Sequence, residues 1–367
     1  MNTSDVPCKK FSIALNSVAS KLMCEPKDDI PDELFKVQHR IMENLNWAGR
    51  SDGMLYTFGV MGNSSEAITK ICEARYEFQI NVEFPFELKP IKDELRPGFV
   101  MLQAGELVEH PAVVNGFLHR DAFSSWFFSN ISNDEERIQN FSLNSDEFKM
   151  SFSLINLRTS SQLMCKPVLQ FDFSKWPLPY PEVPEGGLSL RNHPWYAVPR
   201  ATVPLDKRSF MVWAPDWERC LMESNCHANK VLLMMGEVLK QQEIFLPIDV
   251  IKTIILRNIK VLPFDLGDCF IAVLEAFVNH LQAGKVSRFL VDTVDMLQIG
   301  SNYEAKIEKY HHSASTLLNA LKDVKSRALA DEIKTDGESQ CSSNPDGWIE
   351  GLNSLFYLNV PDIHKFI

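Results

Sequence analysis

The run from Tyr76 to Phe86 alternates polar and apolar residues along its whole length. A strand with one packed face and one polar face produces that pattern, because successive side chains point to opposite sides. Glu77, Gln79, Asn81 and Glu83 therefore share one face, and Phe78, Ile80, Val82 and Phe84 the other. Upstream, Gly59 to Gly62 reads as a tight turn. The Ser, Glu and Ala residues after it read as a short helix whose N-terminus suits an anion. Carboxylates at i and i+2 of the following strand would suit a pair of divalent ions. Here that pair is Glu77 and Gln79, so the second group is an amide.

The rest of the chain divides around this strand. Residues 8–23 carry apolar side chains at helical spacing. Asp32 is placed to cap a second helix over Glu33–Leu45, with Leu34, Val37, Ile41 and Leu45 on one side. Strand patterns follow at Gly98–Gln103, Met150–Leu157, Cys165–Phe173 and Arg208–Trp213. Between them, residues 118–131 form an aromatic amphipathic helix with Phe123, Trp126 and Phe127 as core. A Pro-rich passage, Trp176–Pro204, reads as a long ordered loop or a boundary crossing. After Pro215 the pattern is helical over 215–224, 227–242, 247–262, 266–283 and 303–331. Strands first and helices afterwards predict an α+β protein of two lobes. The expected division is a core lobe over 1–213 that includes the N-terminal helices, a helical lobe over 214–331, and a linker and tail over 332–367. Residues 332–346 have linker composition, and Trp348, Leu352, Leu355, Phe356 and Tyr357 suit a docking helix.

Composition narrows the functional classes. A net charge of -11 argues against a strongly basic nucleic-acid binder. No apolar run approaches the ~18 residues of a membrane span, and the start has no apolar signal core. The eight cysteines are dispersed, as expected of reduced thiols in the cytosol or nucleus. Cys220, Cys226 and His227 are too few to expect a zinc site.

Taken in order, several marks resemble the cyclic GMP-AMP synthase-like receptors and their relatives in the male-abnormal developmental family. They are Gly62 with Thr69-Lys70, the EFQIN strand (Glu77–Asn81), LQFDF (Leu169–Phe173) with Trp176-Pro177, and WYAVPR (Trp195–Arg200). Ile251-Lys252-Thr253 and the apolar helix Leu266–Leu281 complete the series. The resemblance covers most of residues 30–330 and implies a nucleotidyltransferase-type fold with a twisted mixed sheet, a helical lobe and a cleft between them. In active members the strand reads Glu-Phe-Asp and a third acid lies on a neighbouring strand. Carried across, Glu77 and Asp172 would be the catalytic, metal-holding acids, with Gln79 at the lost third ligand position. Gly62, Asn63, Ser64, Lys230 and Lys252 would contact nucleotide.

Several positions depart from the active pattern. Asn63 replaces a phosphate-contacting Ser, with Ser64 as an alternative. Ile248 and Asp249 stand where active members have a Ser-Tyr pair whose Tyr stacks on a base. A phosphate-binding Lys falls on Leu232 or Met235, with Lys230 nearby. The implied function is a nucleotide- or ligand-binding scaffold of impaired catalysis in innate immune or developmental signalling. The alternative is an active synthase making a cyclic dinucleotide from ATP and GTP, with Mg or Mn, after sensing double-stranded RNA or another ligand. Either reading takes Mg or Mn with bound nucleotide. Lys252, Arg257 and Lys260, with Lys9, Lys10 and Lys21, are the cationic groups available to a nucleic-acid duplex.

Overall fold

The computed structural model describes residues 8–24, 32–51, 57–60, 69–72, 75–132, 141–144, 149–156, 159–176, 192–200, 206–297, 303–337 and 346–356. In chain order the elements begin with α1 (Lys9–Cys24), α2 (Asp32–Ser51), β1 (Thr57–Val60), β2 (Thr69–Cys72) and β3 (Arg75–Glu83). Next come β4 (Lys89–Lys92), β5 (Phe99–Gln103), β6 (Val113–Val114), β7 (Phe117–Leu118) and α3 (Arg120–Ser132). They are followed by β8 (Phe141–Asn144), β9 (Lys149–Asn156), β10 (Thr159–Phe171), β11 (Trp195–Val198) and β12 (Ser209–Trp213). The helices α4 (Pro215–Ser224), α5 (Ala228–Gln241), α6 (Ile248–Asn258) and α7 (Leu266–Ala283) come next. The hairpin β13 (Ser287–Arg288) and β14 (Val291–Asp295), α8 (Tyr303–Gly337) and α9 (Asp346–Phe356) close the series. Contacts group Asp28–Trp217 as one compact unit, and Met1–Lys27 with Glu218–Ile367 as another.

The first unit is built on a mixed sheet in the order β1-β3-β10-β11-β12-β5-β7-β6, with β2 also on β3, β4 on β5, and β8 on β9, which pairs with β10. The alternation of β3 is realised as expected: Phe78, Ile80 and Val82 are buried on one face. Helix α2 covers part of this unit through Leu34, Ile41 and Leu45, and packs against β1 and α3. It begins at Asp32 itself and runs past Leu45 to Ser51. The Ser, Glu and Ala residues expected as a short helix after Gly62 lie outside the described residues; beyond them Thr69–Cys72 is strand β2, antiparallel to β3 with Thr69 opposite Glu77. Thr69 and Ile71 favour extended backbone.

Strand β10 is longer than the sequence pattern suggests. It runs antiparallel to β9 over Thr159–Cys165 and meets β11 from Leu169, while its other edge runs parallel to β3 over Gln162–Val168. Pro167 falls where β10 has left β9 and not yet reached β11. A residue without an N–H is tolerated in a central strand at such a break.

The second unit is helical. Its core is formed by Val231, Met234, Met235 and Val238 of α5, Ile251, Ile254 and Ile255 of α6, and Phe270, Val273, Leu274 and Phe277 of α7. The Asp265 side chain caps α7 by accepting from the Asp268 N–H, 3.0 Å away. The sequence pattern groups α1 with the core lobe, whereas in the structure α1 packs on α5, α7 and α8. Residues 332–337, expected as linker, continue α8. Trp348, Ile349, Leu352 and Phe356 of α9 are buried, and α9 rests on α5 and α8. Among the described residues no helix is long and apolar enough to cross a membrane.

Candidate active site

The polar face of β3 is half-buried at Glu77 and Gln79. Pairing with β10 decides what stands beside them. The parallel register sets Lys166 opposite Gln79 and Met164 opposite Glu77. Registered neighbours in a sheet project to the same side, so Lys166 shares the polar face with Glu77 and Gln79. Its ammonium forms an ion pair with Glu77 Oε2. The Gln79 amide donates to the other oxygen, Glu77 Oε1, at 3.1 Å. The Glu77 and Lys166 side chains are 14% and 27% exposed, so both oxygens of one carboxylate are taken up by the chain in a partly desolvated setting. Pairs of this kind are screened less than surface ones.

Asp172 is not brought to this site. Val168 stands opposite Asn81, four residues beyond Glu77, and Asp172 lies a further four residues along, past the end of β10. At about 3.3 Å per residue that separates the two carboxylates by roughly 25 Å along the sheet. Even with twist, this is far beyond the reach of two ligands on adjacent ions ~4 Å apart. The Asp172 side chain is exposed, and its carbonyl accepts from Trp195 Nε1 at 3.2 Å. Around it Phe171 stacks on Trp195, with Trp176 at the Trp195 edge. Phe171, Trp176 and Trp195 thus build an aromatic end to β10, and Asp172 is no partner of Glu77.

Sequence reasoning missed Lys166, although β10 carried a signal. It is the one charged residue in the strand TSSQLMCKPVLQF. A charge inside an otherwise uncharged strand calls for a partner on its own face. Further along the same face, the Asn81 side chain accepts from the Gln170 N–H at 2.9 Å and donates to Glu83 Oε1 at 3.4 Å.

These donors do not fit a hard divalent ion. Such ions take anionic oxygens, typically one or two free carboxylates with phosphate. Around Gln79 the groups are one carboxylate already bound at both oxygens, one neutral amide and one ammonium. Among the described residues no group of three or more His, Cys, Asp or Glu side chains is arranged to hold a metal. The Gly62, Asn63 and Ser64 positions lie outside the described residues.

Within the helical unit the expected phosphate contacts have partners of their own. Lys252 Nζ pairs with Glu218 Oε2 at 2.7 Å, and Lys230 Nζ donates to Asn16 Oδ1 at 2.7 Å. Met235 is buried and Leu232 half-buried. Ile248 and Asp249 are exposed in the first turn of α6, where a carboxylate complements the helix dipole. Of the cationic groups considered for a duplex, Lys10 pairs with Asp331 at 2.8 Å, and Arg257 binds the Ser287 and Arg288 carbonyls and Asp292. Among the described residues neither Cys220 nor Cys226 forms a disulfide.

An α+β chain with a mixed sheet, and with Glu77 displayed on a central strand, is compatible with a nucleotidyltransferase-like protein. No protein-family profile matches the sequence. Similarity over most of its length nevertheless supports a cyclic GMP-AMP synthase-like family assignment for this chain. The relative concerned is the cyclic GMP-AMP synthase-like protein of Drosophila melanogaster. It is 26% identical over 330 residues, a span covering 85% of this chain and 91% of the relative.

Proposed function

We propose that this chain has a nucleotidyltransferase fold with impaired catalysis, and acts as a nucleotide- or ligand-binding scaffold in innate immune or developmental signalling. One observation carries the reading: both oxygens of Glu77 are occupied by the chain's own Gln79 amide and Lys166 ammonium. Two-metal nucleotidyl transfer needs carboxylates free to hold cations against the attacking and leaving oxygens. Losing electrostatic stabilisation of that kind costs ~3 kcal/mol or more of barrier, about 10²-fold in rate. On the helical unit Lys230 donates only to a neutral amide oxygen, that of Asn16, among the described residues, so its charge can serve a nucleotide phosphate without chemistry, whereas Lys252 would first have to part from Glu218.

The retained Glu77, and the similarity to a cyclic GMP-AMP synthase-like protein, favour a second reading as an active cyclic dinucleotide synthase using Mg or Mn. The two part in one assay. Purified full-length chain is incubated with ATP, GTP and Mg²⁺ or Mn²⁺, with and without double-stranded RNA. We expect no cyclic dinucleotide, together with a thermal shift on adding nucleotide, since a ligand stabilises the state it binds. Robust product overturns the impaired reading. An unchanged melting curve at millimolar nucleotide removes nucleotide binding from the proposal.

A further inference from the structure

We propose that the Lys166 ammonium is a tethered cation that stands in for a divalent metal ion at Glu77 and keeps such ions out. This rests on the family reading above and adds what the site does with positive charge. Three observations converge on it. The β3–β10 register puts position 166 beside position 79 and one strand across from Glu77. Adjacent strands lie about 4.8 Å apart and i, i+2 residues about 6.6 Å apart, so side chains from positions 77, 79 and 166 can meet at one point. The groups found there are a carboxylate, an amide that donates to it, and an ammonium paired with it. The charges of Glu77 and Lys166 cancel, so an incoming cation gains no net negative charge and must displace an ammonium fixed to a strand. The backbone helps hold that ammonium in place: Lys166 lies where β10 passes from β9 to β11, with buried Cys165 and Pro167 on either side.

The same geometry says how the site would be converted. Gln79→Asp with Lys166→Asp places three carboxylates on two neighbouring strands, the donor set a hard divalent ion prefers. The test is Mn²⁺ binding by the full-length chain, followed through the paramagnetic signal of free Mn²⁺, for wild type, Glu77→Gln, and the double variant with and without Glu77→Gln. Wild type and Glu77→Gln should bind alike. The double variant should gain one site at least about tenfold tighter than any in wild type, and Glu77→Gln in that background should abolish it. Amine labelling read by mass spectrometry gives a second measurement. Lys166 should react more slowly than Lys207, which is 64% exposed, and should speed up in Glu77→Gln. Glu77-dependent Mn²⁺ binding by wild type overturns the proposal, as does a folded double variant that binds no Mn²⁺. Lys166 labelling indifferent to Glu77→Gln overturns it too. If the double variant does not fold, the comparison of wild type with Glu77→Gln and the labelling decide. Glu77-dependent Mn²⁺ binding without product would end this inference and leave the impaired-catalysis reading standing, whereas cyclic dinucleotide from wild type would end that reading.

Discussion

Gly267→Ala sets two effects of known size against each other. Position 267 lies in the first turn of α7, where replacing Gly by Ala ordinarily stabilises a helix by about 0.8–1 kcal/mol. Here α1 leaves no room for the methyl group. A Cβ on residue 267 would lie 2.6 Å from Phe11 Cδ1 and 2.8 Å from Ser12 Oγ. Phe11 is fully buried, so its ring has nowhere to turn. Ser12 Oγ is also committed: it donates to Asp265 Oδ1 at 2.6 Å and accepts from the Gly267 N–H at 3.1 Å. Overpacking of this kind costs about 1–3 kcal/mol, and losing one hydrogen bond adds ~1 kcal/mol. The propensity gain is smaller than the sum, so Gly267→Ala should destabilise by about 1–3 kcal/mol. Chemical denaturation with hydrogen exchange at the α1 amides would measure it, with α1 losing protection first. In a Phe11→Ala background the same substitution should be neutral or stabilising, because the obstacle is gone. Stabilisation of the otherwise unaltered chain by Gly267→Ala would refute the close α1–α7 packing.

Asp93→Asn should cost about 3 kcal/mol in chemical denaturation, because Arg96, paired with Asp93 at 2.5 Å and hydrogen-bonded to Ser209 at 3.0 Å, is buried and, among the described residues, keeps only Asp206 at 3.5 Å as a charged partner. Phe356→Ala should cost about 3–5 kcal/mol by the same measurement, since the ring is buried beside Phe270, 6.0 Å between centroids. The Arg208 guanidinium, hydrogen-bonded to Asp206, holds that carboxyl down to about 2. The stability this gives is fully present above the unfolded carboxyl value of about 4 and is lost as pH falls from there towards 2. Asp206→Asn should therefore flatten the acid limb of stability against pH, and an unchanged limb would refute the pairing. Gln79→Asp alone should gain far less Mn²⁺ affinity than the double variant, because the Lys166 ammonium still occupies the Glu77 carboxylate even though the added acid leaves one net negative charge; a site as tight as that of the double variant, or metal-dependent product, would contradict it.

Local pattern made the elements legible where the side chains facing the core come from the element itself. The β3 alternation and the apolar spacing of α5, α6 and α7 are of this kind, and so is the burial of Trp348, Leu352 and Phe356 at fourfold spacing in α9. Short pieces were harder. The β6–β7 hairpin turns on Asn115 and Gly116, both with positive φ, a familiar two-residue hairpin signal. The place of α1 was not legible because its hydrogen-bonding partners Asp265 and Glu332 lie far along the chain. The same limit applies at the site. The resemblance implies Asp172 as the third ligand, but which residue stands beside Gln79 is fixed by the parallel register of β10 on β3. No feature within either strand states that register.

The register also changes what Gln79 means. With an acid at the neighbouring position, an amide at 79 is a single missing ligand in a site that still attracts cations. With Lys166 there, the amide has a different part, donating to the Glu77 oxygen that the ammonium leaves free. The substitutions then satisfy each other. A carboxylate flanked by an amide donor and an ammonium is stable without metal, whereas Glu77 beside Lys166 and a second carboxylate would leave unbalanced negative charge on a half-buried face. Restoring the acid at 79 while keeping Lys166 therefore leaves a cation of the chain's own in place, and only changing both residues opens the face to an external one.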